Sequence, residues 1–295
     1  MTTATALLRR WRDALARSGV AEAALESELL YCEVAGRRRA DRLFWLDETP
    51  SAEAVRRGEA MLARRCRREP LYYIFGHAPF RNLELTVSPA VLIPRPETEL
   101  LVDFLLEHTP RGGRILDVGT GSGAIALAAL SERPDLTALA LDISGEALAV
   151  ARANAAQLGL EARIEFRRSD LLAAVEAAER FDFVAANLPY VDEAVYDSLE
   201  PEVRLYEPKL ALTAPEAGMA LISRLAAEAP RHLNPGSWML FEVDGAQAAP
   251  FAAELERRGA CCEVVIRRDY AGIDRLVGGR TPEADAGGPA ERETI

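Results

Sequence analysis

A chain of 295 residues, 49% of them hydrophobic, can bury the core of one large domain or two modest ones. No apolar run approaches the roughly 18 residues that a membrane-spanning helix needs, which argues against a membrane protein. A net charge of −11 argues against a protein that grips nucleic acid through bulk charge.

The smaller signals agree with a cytoplasmic protein. Met1-Thr2-Thr3-Ala4 leads into the amphipathic Leu7-Leu8-Arg9-Arg10-Trp11 instead of a signal peptide. Cys32, Cys66, Cys261 and Cys262 form no CxxC pair, and with His77, His108 and His232 they make no zinc pattern, so reduced thiols and no metal are expected. The charge is uneven. Residues 1–70 carry 14 Arg against 11 acidic residues, a net +3, so the remainder carries −14.

Residues 1–69 show only helical periodicity. Leu7, Leu8, Trp11 and Leu15 share one helix face, and Leu25, Leu29, Leu30 and Val34 another. Asp47 to Ser51 break the pattern, and Ser51 reads as the N-cap of a helix through Arg64. This predicts a small helical bundle without a catalytic constellation. Residues 70–94 read as a β-hairpin linker, with strands at Tyr72–Gly76 and Leu83–Val87 joined by the loop His77–Asn82. Ile93-Pro94-Arg95-Pro96-Glu97-Thr98-Glu99 is stiffened by two prolines, and helix resumes through Leu100, Leu101, Phe104 and Leu105.

From Arg114 the pattern becomes strand-helix alternation. Candidate strands are Ile115–Val118, Ala138–Leu141, Arg163–Phe166, Phe181–Ala186, Trp238–Val243, Cys261–Ile266 and Arg275–Gly278. Such alternation predicts an α/β domain over 95–280: a seven-stranded, mostly parallel, Rossmann-like sheet with helices on both faces. The last two strands are separated only by Asp269-Tyr270-Ala271-Gly272, a link short enough for an antiparallel hairpin at the sheet edge. Residues 281–295, rich in Pro, Glu, Gly and Ala, are expected to be disordered.

Two constellations in this domain carry chemistry. The first is Asp117-Val118-Gly119-Thr120-Gly121-Ser122-Gly123, a glycine loop between a strand and the helix Ala124–Leu130. Glycines there let the backbone turn tightly and approach a ligand closely. The spacing is GxGxG, not the GxGxxG of a pyrophosphate grip. Asp142 ends the next strand, 19 residues beyond Gly123, where it can accept both hydroxyls of a ribose. Asp117 can face the amino acid part of such a ligand, and Ser169-Asp170-Leu171 can meet an adenine edge and face, although Asp170 reads equally as a helix N-cap. A nicotinamide dehydrogenase is the competing reading, but no partner for hydride transfer is evident.

The second is Asn187-Leu188-Pro189-Tyr190, directly after the strand Phe181–Ala186. An amide, a rigid turn and an aromatic at a strand end pack poorly as core but grip a flat amide or amine well. Asn187 Oδ1 and the Leu188 carbonyl can each accept one N–H of such a group, and Asn187 also lies within reach of a ligand at the glycine loop. Pro189 restricts Leu188 to extended backbone, and Tyr190 offers a ring face. Position 188 is expected to act through its carbonyl alone, so that even proline would serve there.

With these residues in view, the chain resembles the HemK/PrmC-type protein N5-glutamine methyltransferases over roughly residues 5–280. The resemblance rests on Pro70-Leu71-Tyr72-Tyr73-Ile74 with Gly76 and Phe80, on Val91–Glu99, on Ile115–Gly123, on Tyr206-Glu207-Pro208, and on Asp269–Gly272 with Asp274-Arg275. It implies a class I methyltransferase fold and S-adenosylmethionine bound by Gly119–Gly123, Asp142 and Ser169–Leu171. It further implies a substrate glutamine held by Asn187–Tyr190, and a helical N-terminal domain that helps dock a peptide chain release factor. Two positions depart from the family pattern: Leu188, where a first proline is usual, and Asp244, where glycine is more usual.

The leading reading is therefore methyl transfer to the glutamine of a release factor's Gly-Gly-Gln loop. The same clamp would suit a ribosomal-protein glutamine or the exocyclic amine of adenine in DNA. The acidic catalytic part and the lack of a basic DNA-reading domain argue against DNA.

Overall fold

The computed structural model describes residues 3–284. The chain opens with helices α1 (Ala4–Arg17), α2 (Ala23–Ala35), α3 (Arg42–Trp45), α4 (Ala52–Arg65) and α5 (Leu71–Phe75). A hairpin of β1 (His77–Phe80) and β2 (Leu83–Thr86) precedes α6 (Thr98–His108). Alternation then begins with β3 (Arg114–Val118), α7 (Ala124–Glu132), β4 (Thr137–Asp142), α8 (Gly145–Leu158), β5 (Ile164–Arg168) and β6 (Phe181–Ala186). After β7 (Val191–Asp192), α9 (Pro201–Tyr206) and β8 (Thr213–Ala214) come α10 (Ala220–Glu228), β9 (Leu233–Glu242) and α11 (Gly245–Arg258). The strands β10 (Glu263–Arg268) and β11 (Asp274–Arg280) follow.

One strand expectation is corrected. Tyr72–Gly76 is not extended; Leu71–Phe75 forms α5. Its aromatic and β-branched residues favour a strand. However, Pro70 starts the turn, and Gly76, at φ +84°, stops it by donating its N–H to the Tyr72 carbonyl at 2.8 Å. The first hairpin strand is shifted to His77–Phe80.

The chain divides into two compact units, 1–78 with 198–207, and 79–197 with 208–295. The helical unit thus extends beyond the expected 1–69 and includes a segment from much later in the chain. Its core holds Leu7, Trp11, Leu15, Leu30, Tyr31 and Trp45. Ser51 Oγ caps α4 by accepting from the Ala54 N–H at 3.1 Å, as expected. The returning segment is fastened by charge. Arg65 is 4% exposed, and its guanidinium donates to Glu26 and to Glu202 of α9 at 2.6–3.0 Å. Arg68 also pairs with Glu202, and the Tyr206 hydroxyl donates to the Arg67 carbonyl at 2.9 Å.

The second unit is built on a seven-stranded sheet of order β10-β11-β9-β6-β3-β4-β5. Strands β9, β6, β3, β4 and β5 run parallel, while β11 is antiparallel to both β9 and β10, giving the expected edge hairpin. Alternate side chains feed the two faces. Ile115, Phe183 and Leu240 pack with α6 and α7, whereas Leu116, Val184 and Met239 pack with α10 and α11. That is why these strands read as continuous apolar runs. Just beyond β11, Thr281 bonds to β9, exchanging hydrogen bonds with the Ser237 backbone at 2.9–3.0 Å. The tail expected to be disordered otherwise falls mostly on 285–295, outside the described residues.

Replacing Arg65 with Met should destabilise the helical unit by about 3 kcal/mol. Two carboxylates lose a shared, nearly buried cation, and their partial exposure keeps the cost at the lower end of the usual range. Urea unfolding monitored by tryptophan fluorescence would measure it, since Trp11 and Trp45 both lie in that core.

Candidate active site

The parallel pairing of β3 with β4 and with β6 brings the predicted residues to one end of the sheet. Val118 pairs with Leu141 on one side and with Ala186 on the other. The glycine loop, Asp142 and Asn187 therefore leave the sheet side by side. They line one cavity of ≈ 350 Å³. Gly119, Thr120, Gly121 and Ser122 form one wall. Asp142, Asp170 and Leu171 come from the ends of β4 and β5, and Asn187, Leu188 and Pro189 from the end of β6. Asp117, Gly123 and Tyr190 lie outside this lining.

The loop is held by backbone bonds to the neighbouring strand end. The Gly119 and Thr120 N–H groups both donate to the Leu141 carbonyl at 2.8 and 2.9 Å. Gly119 and Gly121 adopt φ of +77° and +57°, a region that side chains resist. Asp142 accepts from the Gly121 N–H through Oδ2 and from the Ser144 N–H through Oδ1, both at 2.9 Å. A carboxylate has four lone pairs, so acceptor capacity remains for a ligand hydroxyl. Burial raises the Asp142 pKa, and these backbone donors oppose the rise. Asp170 is paired with Arg224 at 2.7 Å and is not a helix N-cap, while Leu171 takes a left-handed φ of +45° that turns the chain at the cavity rim.

Asp117 is fully buried below the loop. Its Oδ2 accepts from the Thr120 hydroxyl at 2.7 Å and from the Ala126 N–H at 3.3 Å. Its Oδ1 has no hydrogen-bond partner among the described residues. Burial pushes its pKa up to about 6, with the nearby Asp142 charge adding to the rise. Gly123 serves packing, because a Cβ there would stand 2.8 Å from Leu127 Cδ1.

On the clamp side, Asn187 Nδ2 donates to the Thr98 hydroxyl at 3.1 Å, and that hydroxyl donates to Glu242 Oε2 at 2.7 Å. The Tyr190 hydroxyl donates to Glu242 Oε1 at 3.2 Å. Glu242 is 1% exposed, and burial raises its pKa despite these donors. Burial, followed by the Glu242 charge, also raises that of Tyr190. The Tyr190 carbonyl accepts from Gln247 Nε2 at 2.8 Å, and the same amide nitrogen donates to the Ala217 carbonyl. Gln247 is in turn placed by Asp244, the N-cap of α11, in a reciprocal capping box. The departure at Asp244 thus leaves a well-capped helix that braces the clamp.

Sequence reasoning missed Thr98, Glu242, Gln247 and Asn154. Asn154, on α8, donates to the Ser122 and Thr86 carbonyls at 2.9 and 3.1 Å and accepts from the Thr86 N–H at 2.8 Å, which ties the glycine loop to the hairpin. A polar residue inside an alanine-rich helical stretch was the signal available for Asn154, and a lone carboxylate inside the apolar run Trp238–Val243 the signal for Glu242.

The expectation that position 188 acts through its carbonyl alone is corrected. The Leu188 side chain is 4% exposed and packs in the sheet's second core layer. Its Cδ2 approaches Gly119 so closely that a Cβ there would lie 2.8 Å away. Leu188→Ala should therefore cost about 2–4 kcal/mol of stability, and Leu188→Pro should be destabilising, not neutral. Thermal unfolding of the two variants beside the parent checks both.

Comparison with known proteins agrees with this geometry. Residues 6–76 match the family model described as the PrmC N-terminal domain, and residues 96–200 match the methyltransferase small domain. A release factor glutamine methyltransferase of Koribacter versatilis is 44% identical over 260 residues, covering 88% of this chain and 91% of its own. One of Geobacter sulfurreducens is 36% identical, covering 91% and 93%. Among solved structures, a methyltransferase from Pyrococcus furiosus superposes with a TM-score of 0.55 at 18% identity, over 75% of this chain and 99% of its own. The seven-stranded fold is thus that of the class I methyltransferases, as expected. Identity over nearly the full length of both chains carries the stronger conclusion: this protein belongs to the release factor glutamine methyltransferase family.

Proposed function

We propose that this chain is a cytoplasmic enzyme that methylates the side-chain amide nitrogen of the glutamine in the Gly-Gly-Gln motif of peptide chain release factors. The observation that carries this reading is the shared cavity. Asn187, Leu188 and Pro189 open onto the same space as Gly119–Ser122 and Asp142. A site for a planar nitrogen and a site for a nucleoside are one site.

S-adenosylmethionine fits the donor set and supplies a methyl group on a sulfonium, whose sulfur leaves as a neutral thioether. Asp142 would accept ribose hydroxyl hydrogens with the acceptor capacity its backbone donors leave free. Asp170 and Leu171 border the adenine end, and the buried negative charge of Asp117 favours a cationic ligand at the loop. A carboxamide nitrogen is a poor nucleophile because its lone pair is delocalised. Asn187 Oδ1 and the Leu188 carbonyl can hold its two hydrogens and turn the lone pair toward the methyl group. The thioether is a good leaving group, and the methylated amide nitrogen, strongly acidic, sheds its extra proton to solvent, so orientation and not a strong base is the main demand. The helical unit carries none of these residues, and we assign it to docking the release factor.

Methylation assays with labelled S-adenosylmethionine test the substrate. An intact release factor should be labelled on the Gly-Gly-Gln glutamine, a free Gly-Gly-Gln peptide much less, and DNA not at all. Labelling of DNA but not of the release factor would refute the assignment. Asn187→Ala should lower kcat by roughly 10²–10³, the value of one preorganised hydrogen-bonding group, while still binding S-adenosylhomocysteine.

A pH dependence follows from Asp117. Its ordinary pKa is 3.8 and its folded value about 6, so ionisation costs the folded protein about 3 kcal/mol. That cost is absent below the ordinary value, where both states hold the proton, and complete above about 6. A ligand bearing an ammonium favours the ionised form. Affinity for S-adenosylhomocysteine should therefore rise about tenfold between pH 5 and pH 7. Calorimetry should find that rise abolished in Asp117→Asn.

A further inference from the structure

Asn187 can perform its task only in one of two orientations. An asparagine amide presents an acceptor on one side and a donor on the other, and a flip about its last bond exchanges them. With Oδ1 toward the acceptor glutamine, the clamp attracts its N–H groups. With Nδ2 there instead, the clamp repels them. Something must fix the choice before substrate arrives.

The fixing group is Thr98, which borders the same cavity as Asn187. Thr98 Oγ1 sits 3.1 Å from Asn187 Nδ2 and 2.7 Å from Glu242 Oε2. A hydroxyl has one hydrogen. The Thr98 hydroxyl donates that hydrogen to Glu242 Oε2. The Thr98 oxygen is then left with lone pairs alone on the side of Asn187. Only the NH₂ of Asn187 can meet it, and Oδ1 must face the other way. The second oxygen of Glu242 accepts from the Tyr190 hydroxyl at 3.2 Å. One carboxylate thereby sets both the polarity of Asn187 and the position of Tyr190.

The fold supports this arrangement without flexible parts. Ala186 pairs with Phe241 across the parallel β6–β9 ladder, so the next residues, Asn187 and Glu242, emerge adjacent. Thr98 is the first residue of α6 and is buried with Glu242. Arg275 on β11 contributes a positive charge that partly offsets the cost of burying the carboxylate, and Glu97 a negative one that adds to it.

We propose that Glu242 and Thr98 are positioning residues that dictate the amide orientation of Asn187, and hence the polarity of the clamp. This rests on the functional reading above, in which Asn187 receives the acceptor nitrogen.

The test is a double-mutant cycle in the full-length enzyme with an intact release factor as substrate. Thr98→Val keeps the shape and removes the hydroxyl. It should lower kcat about 10- to 100-fold, with the Kd for S-adenosylhomocysteine changed by no more than about twofold. Thr98→Ser should restore most of the rate. In the Asn187→Ala background, Thr98→Val should have little further effect, since no amide remains to orient. Glu242→Gln should show the same dependence on Asn187 and serves if Thr98→Val fails to fold, a failure the S-adenosylhomocysteine titration would reveal. Additive losses in the cycle, or no rescue by serine, overturn the proposal while leaving the functional reading intact. A parent enzyme that labels no release factor overturns both.

Discussion

The β3–β6 register organises the rest of the catalytic unit. Because Val118 pairs with Ala186 in parallel, the glycine loop and the clamp leave the sheet at the same end and in adjacent positions. Leu188 closes the gap by packing against Gly119. The next strand extends the arrangement, since Phe241 pairs with Ala186 and sets Glu242 beside Asn187. A slip of one residue in either ladder would send the alternate side chains to the wrong core layer, so burial on both faces enforces the register that function needs.

Three carboxylates at this end of the sheet are held at a cost. Asp117, Asp142 and Glu242 all have pKa values raised by burial. None gains as much from its neighbours as it loses by leaving water. Each is fixed by hydrogen bonds, Asp117 from Thr120 and Ala126, Asp142 from Gly121 and Ser144, and Glu242 from Thr98 and Tyr190, so its geometry does not need to reorganise when ligands bind. Stability given up locally for fixed dipoles is the usual bargain of a preorganised site. The apolar layers on both faces of the sheet supply the compensating free energy.

The clamp is also braced from its far side. Tyr190 is bonded at its hydroxyl to Glu242 and at its carbonyl to Gln247. Gly218 makes room for that carbonyl, because a Cβ there would lie 1.9 Å from it. The capping box of Asp244 and Gln247 therefore does two things at once: it starts α11 and it anchors the turn that follows Asn187. Asp244, as the N-cap of α11, holds this anchor in place.

Much of this was legible in the sequence, and for a local reason. The strands at Phe181–Ala186 and beside the glycine loop, the GxGxG spacing and the Asn-Leu-Pro-Tyr exit are all written in consecutive residues. Periodicity and turn chemistry act over such short spans. Tyr72–Gly76 differs for an equally local reason: Pro70 and Gly76 bound a helical turn whose aromatic and β-branched composition favours a strand. What the sequence by itself could not determine was which distant residues meet. Thr98 lies 89 positions from Asn187 and 144 from Glu242, and Asn154 lies 68 from Thr86. The helix Pro201–Tyr206 joins the N-terminal bundle through Arg65, 137 positions before Glu202. Hydrogen bonds and ion pairs of this kind leave no period in the chain, because they are selected by the packing of whole elements. Sequence determined the sheet, the glycine loop and the Asn187–Tyr190 strand exit; tertiary structure alone decided which distant hydroxyl the Asn187 amide meets.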